Sequence, residues 1–203
     1  DGGEAWLNEL IWREFYKHLL VGFPRLSKGE NFQRRYDAVP WDDDEQEFQA
    51  WCRGQTGYPL VDAGMRQLLT TGWMHNRVRM VCAMFLTKHL LIDWRRGERF
   101  FMRHLVDGDL AANNGGWQWS ASTGTDAQPY FRVFNPWLQS KRFDEDGAYV
   151  RRFVPELATV PANALHDPKR LAKEVLAGSV NYPPPLVEHR DARARAIAVF
   201  KGL

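Results

Sequence analysis

The sequence is poor in the residues that make cross-links. It has two cysteines in 203 residues, Cys52 and Cys82, far apart and outside any CxxC spacing. A disulfide scaffold and a cysteine-rich zinc site are therefore excluded, and a reducing, cytoplasmic setting is expected. Long apolar runs are missing as well. The best candidate, 78–92, is interrupted by Arg79, Thr87, Lys88 and His89 and falls short of the ~20 residues of a membrane span. The first ten residues, DGGEAWLNEL, are acidic and then amphipathic, unlike a secretory leader. Neither charge sign dominates: 27 Lys+Arg face 25 Asp+Glu, net +2, so any basic surface for nucleic acid must be local. GxGxxG, a phosphate loop ending in GK[ST], HExxH and GxSxG are all absent, and the six histidines show no ligand spacing. Self-contained nucleotide loops, zinc hydrolases and familiar serine hydrolases are thus excluded, and no metal is assigned.

What the chain does have is aromatic mass: nine Trp, twelve Phe and six Tyr. Such rings fill cores and also stack on flat ligands. Composition alone leaves both readings open. With 44% hydrophobic and 26% charged residues the chain is globular, and its length suits one domain.

Periodicity points to an all-α fold. Leu7, Ile11 and Phe15 step by four inside a helix over 4–20, ended by Gly22 and Pro24. Residues 25–42 look irregular. Asp44 and Glu47 form a capping box for a helix to about Arg53. Pro59 opens a helix to about Thr70 that Gly72 stops. Residues 75–92 read as one helix, 95–105 as another, and Asp109 caps a short helix over 110–118. A Ser/Thr/Gly-rich loop spans 120–129. Weaker helices follow at 136–142 and 145–153, Pro155, Pro161 and Pro168 mark turns or helix starts, and a last helix covers 187–201 after the stiff Pro183-Pro184-Pro185 run. No alternating strand and no internal repeat is present.

Three stretches set polar groups among aromatics. In WLNELIWREF, 6–15, helical spacing puts Trp6, Glu9, Arg13 and Tyr16 on one face with Trp12 beside Glu9. That face could stack a planar group and hydrogen-bond it; Glu9 and Arg13 read equally as a surface ion pair. In GWMHNRVRM, 72–80, Asn76, Arg79 and Met80 share a face while Arg77 points elsewhere. This suits an anion or a polar ring edge at a helix start, or simply a capped and solvated helix. In DGDLAANNGGWQWSASTGTD, 107–126, two carboxylates precede Asn113-Asn114, paired glycines, Trp117 and Trp119. Its small residues leave room for a flat group against the backbone.

In this order and spacing, these stretches resemble the DNA photolyase/cryptochrome family, close to the helical FAD-binding domain of a class I cyclobutane pyrimidine dimer photolyase. TGYPLVDAGMRQL at 56–68, LLIDWRRGERFFM at 90–102 and TDAQPYFRVFNP at 125–136 extend the likeness over essentially the whole chain. The resemblance implies light-driven, FAD-dependent repair of pyrimidine dimers in DNA, with reduced FAD as the active state. A cryptochrome-type photoreceptor and a flavin-free fragment are the alternatives. It implies that Asp107 pairs with Arg79 beside the isoalloxazine, that Asp109, next to Gly108, accepts from flavin N3–H, and that Asn113 faces N5 and favours the reduced and neutral radical states. Trp6, Arg13 and Asn76 would line the flavin cavity. Trp12 and Trp119 would hold the flipped dimer, Glu9, Asn76 and Met80 would face it, and Arg77 and Arg132 would contact the DNA backbone. Trp117, Trp94 and Trp41 match the family's three-tryptophan electron route; singly, each reads as a core tryptophan.

Related (6-4) enzymes and animal cryptochromes carry two histidines where this chain has His75-Asn76, and signalling cryptochromes continue into a long tail beyond their last helix. Asn76 with Met80, and a chain ending at Leu203, therefore favour dimer repair. The family's N-terminal antenna-pigment domain and its Thr/Ser-rich segment for the FAD phosphates are not in this chain. The sequence is expected to be the C-terminal half of such an enzyme, a monomer whose partners are damaged DNA and the missing half. Its flavin binding should be weaker than that of an intact enzyme.

Overall fold

The computed structural model describes residues 2–203. Helix ends follow local chemistry. Asp44, Asp93, Asp109, Asn135, Asp167 and Glu188 each accept a backbone N–H in the first turn of the helix they precede, satisfying donors that the helix itself leaves unpaired. Pro59, Pro136 and Pro168 open helices, where a missing N–H costs nothing. Among the described residues eleven α-helices result: α1 Gly2–Gly22, α2 Glu45–Cys52, α3 Pro59–Thr71, α4 Asn76–Met84, α5 Trp94–His104, α6 Leu110–Ala121, α7 Pro136–Phe143, α8 Ala148–Phe153, α9 Ala162–Leu165, α10 Pro168–Leu176 and α11 His189–Lys201. No β-strand occurs among the described residues, so the fold is all-α as expected. No helix among them is long and apolar enough to cross a membrane.

Several boundaries depart from the sequence reading. The expected helix over 75–92 ends as α-helix at Met84 and continues as a π-helical turn, Phe85–His89. There Leu90 N–H reaches back to Phe85 C=O at 3.1 Å, and Leu91 then takes a left-handed φ of 54°. The stretch 25–42 is not wholly irregular; it holds two 3-10 turns, Pro24–Lys28 and Arg34–Ala38. The α6 helix runs on to Ala121 because Ser122 provides a left-handed end with φ 68°. The helix expected over 145–153 begins only at Ala148, since the Asp144 carboxylate takes Tyr149 and Val150 N–H from outside the helix. Of the three proline marks, Pro155 starts a 3-10 turn, Pro161 precedes α9 and Pro168 opens α10.

The main core gathers Trp51, Tyr58, Met65, Leu68, Phe85, Leu86, Trp94, Phe101 and Trp117 between α2, α3, α4, α5 and α6. A smaller cluster joins Tyr36, Val39, Leu91, Ala196 and Phe200, with Trp41 packed against it. The polyproline segment is tied down as a strap. Asp62, fully buried on α3, accepts from Thr56 N at 2.8 Å, Thr56 Oγ1 at 2.6 Å and Gly57 N at 3.1 Å, and also from the Tyr182 hydroxyl. Burial raises the Asp62 pKa while these hydrogen bonds oppose the rise. Tyr58 Oη donates to Val187 O at 2.7 Å and Leu186 N to Thr56 O at 3.0 Å, closing the strap at both ends.

At one crossing α5 and α6 leave no room for a side chain. The Trp117 ring lies on Gly97, and a Cβ at Gly97 would overlap that ring and Leu86. Gly97→Ala should therefore lose about 1–3 kcal/mol in urea denaturation through overpacking. Gly116→Ala, where a Cβ meets nothing, should be neutral or gain up to about 1 kcal/mol from helix propensity. Equal effects at both positions would show that the crossing is slack.

Candidate flavin and nucleic-acid cavity

Three helices each turn one stripe toward a common space. On α1 the stripe is Glu9, Trp12, Arg13 and Tyr16; on α4 it is Asn76, Arg79, Met80 and Ala83; on α6 it is Ala112, Asn113, Gly116, Trp117, Trp119 and Ser120, continuing from Asp109 at its cap. Steps of three and four keep such residues on one face. With Trp73, Met74, Phe101, Leu105, Asp107, Gly108 and Asp126 they enclose a cavity of about 560 Å³, within the size range of small-molecule and cofactor sites. The α1 wall is seated on α6 at Gly115, where a Cβ would overlap the Tyr16 ring. Tyr16 in turn stacks on Trp12, with centroids 6.0 Å apart and planes at 29°.

The polar groups divide into those already committed and those that remain free. Arg79 is held by both Asp107 oxygens, at 3.0 and 2.8 Å, and donates Nε–H to Met74 O at 2.7 Å. Its planar fork is thus fixed in place. Asp109 uses Oδ1 to cap Ala112 N–H at 2.9 Å, which leaves Oδ2 as an acceptor. Asn113 donates Nδ2–H to Glu98 O at 3.0 Å, which leaves Oδ1 as its uncommitted acceptor. The buried Trp117 Nε1–H has no partner. An orphaned buried donor is rare and calls for a bound acceptor. Behind Asn113, the Glu98 carboxylate accepts from Asn114 Nδ2 at 3.0 Å; burial raises the Glu98 pKa, with the Asn114 bond pulling it back. Burial likewise raises the Tyr16 phenol, and the Asp126 charge adds to that.

Twelve of the residues given a place by the resemblance meet here, Glu9, Trp12, Arg13, Asn76, Arg79, Met80, Asp107, Gly108, Asp109, Asn113, Trp117 and Trp119, together with Tyr16 from the same α1 face. Trp6 does not. It shares the α1 face, but the first turns of α1 extend past the helices they would pack on, leaving it 67% exposed. Arg77 lies outside the cavity with its guanidinium 4.8 Å over the Phe143 ring. Arg132 is exposed in the turn that its N–H closes to Pro129 O. Trp94 is buried, donating Nε1–H to Asn31 Oδ1 at 2.9 Å. Trp41 is half-buried with its ring 6.1 Å from Phe200. His75, rather than Asn76, caps α4 by accepting Arg77 N–H at 3.1 Å, so the Asn76 amide is not consumed by the helix end.

Ala112 and Gly116, two of the small residues read from sequence as leaving room for a flat group, also line the cavity. The sequence reading passed over Ala83 and Ser120, which extend the α4 and α6 stripes by further helical steps, and Trp73 and Asp126, which sit in connections where periodicity is silent. It also passed over Trp51, fully buried and 6.0 Å from Trp117 at 72°.

A family model described as the FAD binding domain of DNA photolyase matches residues 6–202. The chain belongs to this family. It is 58% identical over its whole length to a deoxyribodipyrimidine photo-lyase of Salmonella typhimurium and 56% identical to one of Escherichia coli, spanning 43% of each. Its fold matches a bacterial class III photolyase from Agrobacterium tumefaciens with a TM-score of 0.92 at 52% identity, over 98% of this chain and 42% of that one. A Synechocystis cryptochrome aligns with a TM-score of 0.89 at 36% identity, again over 98% of this chain and 42% of that one. The chain thus spans less than half the length of these relatives. The chemistry of the cavity fits the family: acceptors at Asp109 and Asn113, a fixed guanidinium at Arg79, an unpaired indole donor at Trp117 and flat aromatic walls suit a heteroaromatic ring edged with N–H and C=O groups.

Asp109 serves both the helix and the cavity. Asp109→Ala should cost about 1 kcal/mol of stability by loss of the cap. Asp109→Asn keeps a capping oxygen and should unfold in urea within about 0.5 kcal/mol of the parent. If Asn is as damaging as Ala, the carboxylate charge rather than the cap carries the local structure.

Proposed function

We propose that this chain is the flavin- and DNA-binding part of a light-driven lyase that splits cyclobutane pyrimidine dimers. The observation that carries this reading is the cavity: one space in which three helical stripes bring carboxylate, amide, guanidinium and indole groups together. Arg13, Asn76, Arg79, Asp107, Gly108, Asp109 and Asn113 would hold the FAD. Reduced FAD excited by blue light supplies a low-potential electron that no side chain can provide.

The chain's own residues then have separable tasks. Asp109 Oδ2 accepts an N–H from the ring edge. Asn113 presents Oδ1, its amide turned by the Glu98 carbonyl, and so favours a ring state that carries a proton to donate. Arg79, fixed by Asp107, supplies positive charge without having to reorganise. On the nucleic-acid side, Trp12 and Trp119 wall the flipped dimer, at ~1–3 kcal/mol per stacked base. Glu9 hydrogen-bonds the dimer, and Met80 and Asn76 pack beside it. Arg77 and Arg132, outside the cavity, meet phosphates, giving affinity that falls with salt. Trp117, Trp94 and Trp41 would relay an electron from the surface toward the ring.

The remaining half of the enzyme would complete the site. The relatives are more than twice this chain's length, and α1 carries an uncovered apolar row, Leu7, Ile11 and Phe15, suited to such a neighbour. That half would hold the antenna pigment and the contacts to the FAD phosphates. The complete enzyme is read as a monomer of the cytoplasm. A photoreceptor reading draws on the likeness to the Synechocystis cryptochrome, but the identity above 50% to proteins named photo-lyase favours repair.

The test is the chain incubated with FAD, desalted and reduced, then illuminated with a dimer-containing oligonucleotide. Retained flavin absorption with blue-light loss of the dimer is expected, and Glu9→Gln should lower the repair yield at unchanged flavin content. Flavin retained with the dimer intact would favour the photoreceptor; a colourless protein that still binds DNA would mean a flavin-free fragment. Trp41→Phe should slow photoreduction of oxidised flavin severalfold while sparing repair by enzyme already reduced. Unchanged photoreduction would place the electron route elsewhere.

A further inference from the structure

Away from the cavity, the π-helical turn Phe85–His89 and α11 meet through two histidines. His89 Nε2 and His189 Nδ1 are 2.9 Å apart, with ring centroids at 5.1 Å. His89 is 1% exposed, stacked on Phe85 at 4.8 Å and edged by Tyr58, and its Nδ1 makes no well-formed hydrogen bond, although the Met84 carbonyl lies near enough to act on the ring. His189 is half-buried in the first turn of α11. Arg195 of α11 donates to His89 O at 2.8 Å. One residue earlier on the π turn, Lys88 is fully buried, donates to Ala121 O at 3.1 Å and lies 3.2 Å over the Phe200 ring of α11. Phe200 is also the ring against which Trp41 packs. This contact therefore fastens α11, and through Phe200 the seat of Trp41.

We propose that the His89–His189 pair is an acid-sensitive latch: it holds α11 while the rings share a single proton between the facing nitrogens, and it lets α11 go when both facing nitrogens are protonated. A neutral pair needs one N–H and one lone pair in the contact. One added proton can be carried on His189 alone, whose Nδ1–H then donates to His89. A second proton has only His89 to go to, and it sets two N–H groups against each other.

The charges around the pair do not relieve this. Arg195 stands beside His89 and Arg193 beside His189, both opposing protonation; Glu188, the α11 cap, favours it on His189, and the Met84 carbonyl favours it on His89. Asp191 shares the first turn of α11 with His189 and donates its backbone N–H to Glu188, while Asp42 and Glu47 act on Arg195. Burial and His189 push the His89 pKa down to about 3, and burial lowers His189 as well. A base depressed in the closed form binds its proton only on opening. The contact is thus fully stable above the ordinary histidine pKa of 6.5 and weakens as the pH falls below it. One proton taken up on opening raises the opening equilibrium about 25-fold from pH 7 to pH 5.

The experiment is hydrogen exchange of the α11 amides at pH 7 and pH 5, corrected for intrinsic exchange rates. Protection of α11 should fall about 25-fold while α3 changes less, and His89→Gln, which keeps a donor and an acceptor but does not titrate, should flatten the difference. Ring ¹⁵N shifts of His89 and His189 give a reading independent of any variant: in folded protein at pH 6 the His89 ring should stay neutral. Equal α11 protection at both pH values, the same slope in His89→Gln, or a His89 ring that titrates near 6.5 while α11 stays protected would each overturn the latch.

Discussion

The contact of Trp117 with Gly97 governs the geometry around it. With any side chain at residue 97, α5 could not approach α6 this closely, and the Trp117 ring would have to leave its place among Trp51, Phe101 and Leu86. That ring is at once core and cavity wall. The same crossing places Glu98 next to the α6 face, so its backbone carbonyl can take the Asn113 amide and its side chain the Asn114 amide. One missing Cβ thus sets the depth of the cavity and the orientation of the amide that faces into it.

The division of labour among the polar groups follows. An apolar wall alone could hold a flat ring in any orientation. Orientation requires donors and acceptors whose own positions are fixed before the ligand arrives, because ordering them on binding would cost entropy. Arg79 is held at both ends of its guanidinium, Asp109 by the helix it caps and Asn113 by the α5 backbone. Each keeps one unspent capacity toward the cavity. Rigid helices, rather than loops, carry nearly all of them, which suits precise placement of a reactive ring.

Legibility in the sequence tracked how local each cause is. Caps and prolines are local, so Asp44, Pro59, Gly72 and Asp109 marked their helices within a residue or two. The three cavity stripes were also legible, since i, i+3, i+4 spacing depends on the helix alone; the family resemblance was needed to say what the stripes bind. The π turn was not legible. It adds one residue to a helical repeat and has no residue-type signature, and Leu91 adopts its left-handed φ under the pull of packing and of the Asp42 N–H bond to its carbonyl. Trp6 fails in the opposite sense: its spacing is right, but spacing cannot say how far the neighbouring helices extend. Asp62 and Tyr182 are 120 residues apart, beyond any pattern read along the chain.

The two cores differ in kind, and the difference bears on where the molecule can yield. The main core is almost entirely apolar, and its fully buried carboxylate, Asp62, has four donors. The smaller core sits beside Lys88 and His89, buried groups with fewer partners than they have valences: one carbonyl and a ring face for the amine, one imidazole nitrogen for His89. Burial without a carboxylate holds both toward their neutral forms, so each stores a preference for water that opening would release. Opening at α11 would uncover the smaller cluster, Phe200 with Tyr36, Leu91 and the half-covered Trp41, whereas opening at α6 would uncover Trp117 and the cavity floor. Local unfolding follows the route that exposes the least apolar surface while rehydrating the most polar groups. The C-terminal helix, joined to the rest by a strap anchored on Asp62, would be that route, and none of its residues lines the cavity.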